Sequence, residues 1–276
     1  MSAMPESIGL VGVGTIGSSM IRGLCKMEGA KPKFIISPRG AAKAQALKEE
    51  FPDLITIAGS NQEVVEAVKC VIIAVLPKQV DEVLKELTFR PEQQVLSVIA
   101  SLPYNSLKEA IVPATECAVG VPLPAVARRQ GATLVMPQVD FAKAIFDALG
   151  TCVAVDEEKE FKRMQVMCGM MGDFYKRQLT AQEWLVEHGV DKSQAGAWIG
   201  AIFATMAADS SRAEADTLQK LVEEQTPGGV NELVWKGQEE DGVYTSMRYA
   251  MDQAHVRFVS GKNDADLAPA AMRKKA

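Results

Sequence analysis

Ile8-Gly9-Leu10-Val11-Gly12-Val13-Gly14-Thr15-Ile16-Gly17 is the stretch that decides the fold. A short apolar run of strand character enters Gly-x-Gly-x-x-Gly, after which Ile16, Met20 and Leu24 recur at helical spacing. Strand, glycine turn and helix in that order open a βαβ unit. The turn lets backbone approach a pyrophosphate, the first helical amides face it, and Gly17 lets the helix pack close to the strand. In a chain with 21 glycines this spacing arises by chance about 0.1 times. The flanking strand and helix, more than the bare pattern, separate a nucleotide site from an ordinary glycine-rich turn.

Outward from this unit, β-branched runs alternate with helix-like segments: Lys33–Ser37, Leu54–Ile57, Val71–Val75, Val95–Ile99, Cys117–Gly120 and Thr151–Val155. Their apolar continuity predicts a parallel sheet covered on both faces. After Asp156 the strand runs stop, and apolar residues three and four apart take over, broken at His188-Gly189 and at Thr226-Pro227-Gly228-Gly229. The expected class is α/β: a Rossmann-type dinucleotide-binding domain over 1–156, then an all-α domain over 157–276 for substrate binding and dimerisation. Ala195–Ala208 is apolar nearly all round, interrupted by Thr205, and reads as a central helix that needs neighbours on every side. About 120 residues are few to enclose it, so a homodimer or higher homo-oligomer is expected. Residues from about Gly261 read as a frayed tail.

Composition narrows the function classes. The 276 residues suit one large domain or two modest ones, with 47 % apolar and 24 % charged residues. Thirty basic against 35 acidic residues give −5, which supplies no general attraction to a phosphate backbone, so no nucleic-acid partner is expected. Ala195–Ala208 falls short of the ~18 residues that cross a bilayer, so no membrane partner is expected either. Nothing before Ile8 reads as an export signal, and the chain is placed in the cytoplasm. The five cysteines, Cys25, Cys70, Cys117, Cys152 and Cys168, are widely spaced and mostly embedded in apolar runs, which reads as core positions without a disulfide framework. With no Cys-x-x-Cys and only His188 and His255, no metal site is expected, and His188 before Gly189 reads as a helix-end cap.

Twenty residues beyond Gly17, where an NAD enzyme presents a carboxylate to the ribose, stands Ser37, followed by Pro38 and Arg39. A hydroxyl and a guanidinium suit a 2′-phosphate, which selects NADP(H); the alternative for Arg39 is a solvated loop residue. The segment Ala74-Val75-Leu76-Pro77-Lys78-Gln79 and the loop Ala100-Ser101-Leu102-Pro103 follow strands and should line the cofactor crevice. The expected cofactor residues are thus Gly12, Gly14, Thr15, Ile16, Gly17, Ser37, Arg39, Val75, Leu76, Pro77 and Gln79.

The order of these features resembles the pyrroline-5-carboxylate reductase family over nearly the whole chain. The resemblance rests on the glycine turn, on Ser37-Pro38-Arg39, on Ala74-Val75 with Pro77 and Gln79, and on Thr226-Pro227-Gly228-Gly229. In the family a Ser-Pro-Gly-Gly-Thr-Thr segment begins a long helix and holds the substrate carboxylate. The resemblance therefore implies NADPH-dependent reduction of a cyclic imine carboxylate, with Thr226, Gly228, Gly229 and Val230 at the substrate. A Gly-Gly helix start also suits an anion physically, since its first amides lack intrahelical partners. Departures concentrate in the second half. Val230-Asn231 replaces two threonines, Ala118-Val119-Gly120-Val121-Pro122 replaces Arg-x-Met-Pro-Asn, and Cys168–Phe174 replaces a Ser-Gly-Ser-Gly-Pro-Ala-Tyr stretch. Asn231 is expected to donate where the second threonine does; its alternative is a helix-start residue bonded to its own backbone.

Two further readings compete. Gly172-Asp173-Phe174-Tyr175-Lys176 resembles the Gly-x-x-x-Lys of the β-hydroxyacid dehydrogenases, where a buried Lys176 would serve as acid and base. A non-catalytic NADP-binding protein is the other.

Overall fold

The computed structural model describes residues 4–211 and 213–260; the tail expected from Gly261 lies outside them. The chain divides into two compact units, Met1–Gln165 and Val166–Ala276.

The first unit is an eight-stranded sheet. Its strands are β1 (Ser7–Val11), β2 (Lys33–Ile36), β3 (Ile55–Ile57), β4 (Cys70–Ile73), β5 (Gln94–Ser97), β6 (Glu116–Pro122), β7 (Gly131–Met136) and β8 (Gly150–Ala154), in the order β3-β2-β1-β4-β5-β6-β7-β8. All neighbours pair in parallel except β6 and β7, which run antiparallel from Val119↔Met136 to Pro122↔Thr133. The helices are α1 (Thr15–Cys25), α2 (Ala41–Glu50), α3 (Asn61–Ala67), α4 (Val80–Lys85), α5 (Tyr104–Ala110), α6 (Asp140–Leu149) and α7 (Glu158–Gln165). The α/β class and the Rossmann-type unit are as expected. Strand β7 is the addition, and it makes the sheet mixed.

Burial on both faces follows from strand alternation. Ile8 and Leu10 of β1, and Cys70 and Ile72 of β4, enter one core with Met20, Leu24, Leu47 and Phe146. Their intervening neighbours Val11, Val71 and Ile73 enter the other with Val64, Leu84, Leu107 and Phe161. Phe161 belongs to α7, which therefore packs on the sheet unit although it lies beyond Asp156, and Gln165 closes that packing by donating from Nε2 to the Ala100 carbonyl at 2.9 Å. All five cysteines are free. Burial pushes the thiol of Cys25 up to about 11 and that of Cys70 up to about 12, as expected of core residues.

The second unit is helical: α8 (Met170–Glu187), α9 (Lys192–Ser210), α10 (Thr217–Glu223), α11 (Val230–Glu240) and α12 (Val243–Ser260), preceded by a 3-10 turn at Val166–Gly169. His188 does cap α8: its Nδ1 lies 2.8 Å from the Trp184 carbonyl and its ring stacks on that indole at 4.1 Å. Asp191 caps α9 by accepting from the amides of Ser193 and Gln194. The helix over Ala195–Ala208, expected to need more neighbours than its own domain supplies, is largely open within one chain. Only Ala195 of α9 is buried, and Trp198 is 60 % exposed. No helix among the described residues is long and apolar enough to cross a membrane.

Candidate nucleotide and anion sites

The order β3-β2-β1-β4 puts the topological switch at β1, where chain connections leave in opposite directions and open sheets bind ligands. Gly12 follows β1 with φ +96°, and a Cβ there would stand 2.8 Å from the Ala74 carbonyl at the end of β4. Only glycine fits both the backbone angle and the approach. Gly14 is the N-cap of α1 without a side-chain cap, and its carbonyl accepts from Ser18 at 3.0 Å. The amides of Thr15, Ile16 and Gly17 are the unpaired first turn of an eleven-residue helix with no acidic residue in that turn, the setting that attracts a phosphate. A Cβ on Gly17 would meet the Gly12 carbonyl at 2.9 Å, so this glycine keeps the helix tight against the turn. Lys43 of α2 reaches the Thr15 hydroxyl at 3.4 Å, a cation at the turn that the sequence reading missed because α2 carries no motif.

Val75, Leu76, Pro77 and Gln79 follow β4, where Ala74 N–H donates to the Val11 carbonyl at 2.8 Å. Pro77–Gln79 form a 3-10 turn that leaves Leu76 57 % exposed beside Gly12's neighbour Val75.

Arg39 lines a cavity of about 280 Å³ with Pro38, Ser60, Asn61, Gln62 and Glu86. Ser37 does not present its hydroxyl there. It is fully buried and donates to Asn61 Oδ1 at 2.5 Å. That bond leaves Asn61 Nδ2 as the donor at the cavity, a residue no local sequence signal marks, since it comes from α3, 24 positions away.

In the second unit, Gly228 has φ +74° and a Cβ on Gly229 would stand 2.9 Å from the Thr226 carbonyl, so the Pro-Gly-Gly turn is required sterically. Gly229 N–H donates to that carbonyl at 2.9 Å, and Gly228 N–H donates to Glu232 Oε2 at 2.6 Å. The two glycine amides are thus satisfied inside the chain. The amides of Val230, Asn231 and Glu232 form the unpaired first turn of α11. Lys236 and the Gly228 amide hold the Glu232 carboxyl below the usual carboxylate range. Asn231 Nδ2 donates to Gln225 Oε1 at 2.7 Å, in the loop before the turn, and not to its own backbone.

Lys176 lies on the exposed side of α8, two-thirds exposed, 3.8 Å from Glu183. The burial and cationic neighbour that a hydroxyacid dehydrogenase lysine needs are not around it. A cavity of about 480 Å³ nearby is lined by Gly169, Met170, Asp173, Arg177, Ser246 and Met251, among others. Arg177 and Asp173 pair across one turn at 2.7 Å. Its methionine wall comes partly from the Cys168–Phe174 stretch, so the replaced family segment borders a real cavity.

Glycine turn, switch point and cation-bearing cavity define a Rossmann-type dinucleotide-binding protein with an appended helical unit. Residues 7–101 match the family described as NADP oxidoreductase coenzyme F420-dependent. The chain is 25 % identical to a pyrroline-5-carboxylate reductase of Methanosarcina acetivorans, across 60 % of this chain and 63 % of that protein, less than two thirds of its length. It is 24 % identical to the pyrroline-5-carboxylate reductase of Pseudomonas aeruginosa, across 91 % of this chain and 94 % of that one. The crystal structure of Plasmodium falciparum pyrroline carboxylate reductase with NADP bound superposes with a TM-score of 0.74 at 14 % identity, covering 94 % of this chain and 99 % of that one. Along nearly its whole length the chain is thus similar to pyrroline-5-carboxylate reductases, at low identity.

Proposed function

We propose that this protein is an NADPH-dependent reductase of a cyclic imine carboxylate, pyrroline-5-carboxylate or a close analogue. The observation that carries the reading is the pairing of an uncapped α1 behind Gly12 with an Arg39 cavity at the β2 end, a cradle of the kind that fits a 2′-phosphorylated dinucleotide. The relatives' names and the NADP in the Plasmodium falciparum structure support it.

The amides of Thr15, Ile16 and Gly17 would receive the pyrophosphate, and Arg39 with Asn61 the adenosine phosphate. Val75, Leu76, Pro77 and Gln79 would shape the crevice beyond β4. When bound, the cofactor supplies a hydride for the C=N carbon. In α11, Thr226, Gly228, Gly229 and Val230 form the proposed substrate end, where a carboxylate would use the free amides of Val230, Asn231 and Glu232. Gly228 and Gly229 contribute by shape, because their own amides are engaged. Glu232 already faces this turn, so an incoming carboxylate has to coexist with it or turn it aside. A protonated imine is already electrophilic, so orientation counts for more than an acid group. Asn231, bonded to Gln225, orients the turn in this reading and donates no proton.

We also propose that the helical unit assembles with a second copy. Trp184, Trp198, Leu218 and Leu233 are each more than half exposed, and Trp235, like them, belongs to the helical unit. Exposed large apolar side chains of this kind suit a surface completed by another chain. The five free thiols suit a reducing compartment, and on that ground we place the protein in the cytoplasm.

Purified protein mixed with NADPH and pyrroline-5-carboxylate should oxidise the nucleotide in step with proline formation. Binding of NADPH without turnover of any cyclic imine carboxylate would instead support the non-catalytic reading.

A further inference from the structure

The cavity that receives Arg39 also receives a carboxylate. Glu86 Oε2 lies 4.0 Å from Arg39 Nη2, and both side chains are more than half exposed. The position of Glu86 is built into the fold. It closes the C-terminus of α4 and is followed by buried Leu87 and by Thr88, which Gln62 grips twice. Gln62 Oε1 accepts the Thr88 amide at 2.9 Å, and its Nε2 donates to the Thr88 carbonyl at 3.2 Å. The other nearby carboxylate, Glu63, is turned to the Gly59 amide at 2.8 Å. Glu86 is therefore the acidic group that lines the cavity alongside its one lining cation.

We infer that Glu86 is a specificity-determining residue that narrows the preference for NADPH over NADH. The inference rests on the nucleotide reading above and says which of the two nucleotides the site tolerates. A 2′-phosphate carries close to two negative charges, needs Arg39, and has to take it from Glu86 while settling within a screening length of that carboxylate. A 2′-hydroxyl carries no charge and can donate to the carboxylate. The acid that is absent at position 37, where NAD-binding chains present one, thus reappears at the rim of the same cavity from the far side of the sheet crossover. The two determinants oppose each other: Arg39 favours the phosphorylated nucleotide and Glu86 penalises it.

The test measures dissociation constants of NADPH and NADH for the full-length protein and for Glu86→Gln, Arg39→Gln and Glu82→Gln, at low and high salt. Glu82 shares α4 and its substitution changes net charge equally, but it does not line the cavity. Glu86→Gln should tighten NADPH about fivefold at low ionic strength and leave NADH unchanged or weaker, with the gain shrinking as salt screens it. Arg39→Gln should weaken NADPH selectively, and Glu82→Gln should leave the ratio where it was. If wild type binds NADPH and Glu86→Gln keeps the wild-type ratio, or Glu82→Gln shifts it as much, the inference falls while the reductase reading stands. If wild type binds neither nucleotide, both fall.

Discussion

Gly12 has two constraints that act together, a left-handed φ of +96° and an Ala74 carbonyl 2.8 Å from any added Cβ. Gly12→Ala must therefore strain the backbone and push β4's end away from the turn. The expected cost is about 1–3 kcal/mol in stability, read by denaturant melts, with NADPH affinity falling at least about tenfold because the phosphate-facing turn no longer closes. Wild-type affinity in a stably folded Gly12→Ala protein would contradict the assignment. Asn61 gives a second residue-level expectation. Removing its amide orphans the buried Ser37 hydroxyl, so Asn61→Ala should destabilise by about 1–3 kcal/mol and weaken NADPH more than NADH. The glycines were readable in the sequence because backbone sterics leave one residue type at those positions. Ser37 was readable as the residue after β2 but its task was not, since its partner arrives from α3 and no spacing rule ties the two.

At the scale of elements, periodicity recovered β1, β2, β3, β4, β5, β6 and β8 to within two residues at each end, because most of these strands send apolar residues into one core or both. It passed over β7. Gly131-Ala132-Thr133-Leu134-Val135-Met136 has only a short β-branched run and follows Arg128-Arg129-Gln130, so local signal is weak; it is held by pairing with β6 and β8. The start of α11 shows the same limit: Pro-Gly-Gly marks a helix N-terminus, while the engagement of its amides by Thr226 and Glu232 depends on how the turn closes. This yields a pH expectation. The Glu232 carboxyl is held below the ordinary glutamate value by Lys236 first and the Gly228 amide second. A depressed folded value means that the cap's contribution is present above the unfolded value, about 4.3, and is lost as pH falls through the lower folded one. The Gly228 amide resonance should titrate with a midpoint under 4.3 or so, and Glu232→Gln should abolish that titration. A midpoint at or above the ordinary value would refute the cap.

For the whole molecule the decisive asymmetry lies between two units with different kinds of core. The sheet unit closes its own: its largest side chains, Phe34 and Phe146 among them, are fully buried. The helical unit does not, since α8, α10 and α11 have no buried residue and α9 has only Ala195, with Trp198 at 60 % and Leu233 at 73 % exposed. Leaving that much apolar surface in water is costly at about 25 cal/mol per Å², which is the force that would hold two copies together. Sequence composition anticipated this, because a helix apolar on every side cannot be enclosed by so short a domain. Trp198→Glu places a charge on that surface and, where copies of the chain pair there as proposed, should shift the protein toward monomer in sedimentation velocity. The nucleotide cradle is built wholly from residues before Gln165, so the variant should still bind NADPH as wild type does, which shows that the sheet unit is folded, while imine turnover drops steeply if substrate binding depends on the assembled helical unit. A wild-type protein that sediments as a monomer at micromolar concentration would remove the assembly from this account, and full turnover in a monomeric Trp198→Glu protein would show that one chain suffices for the reaction.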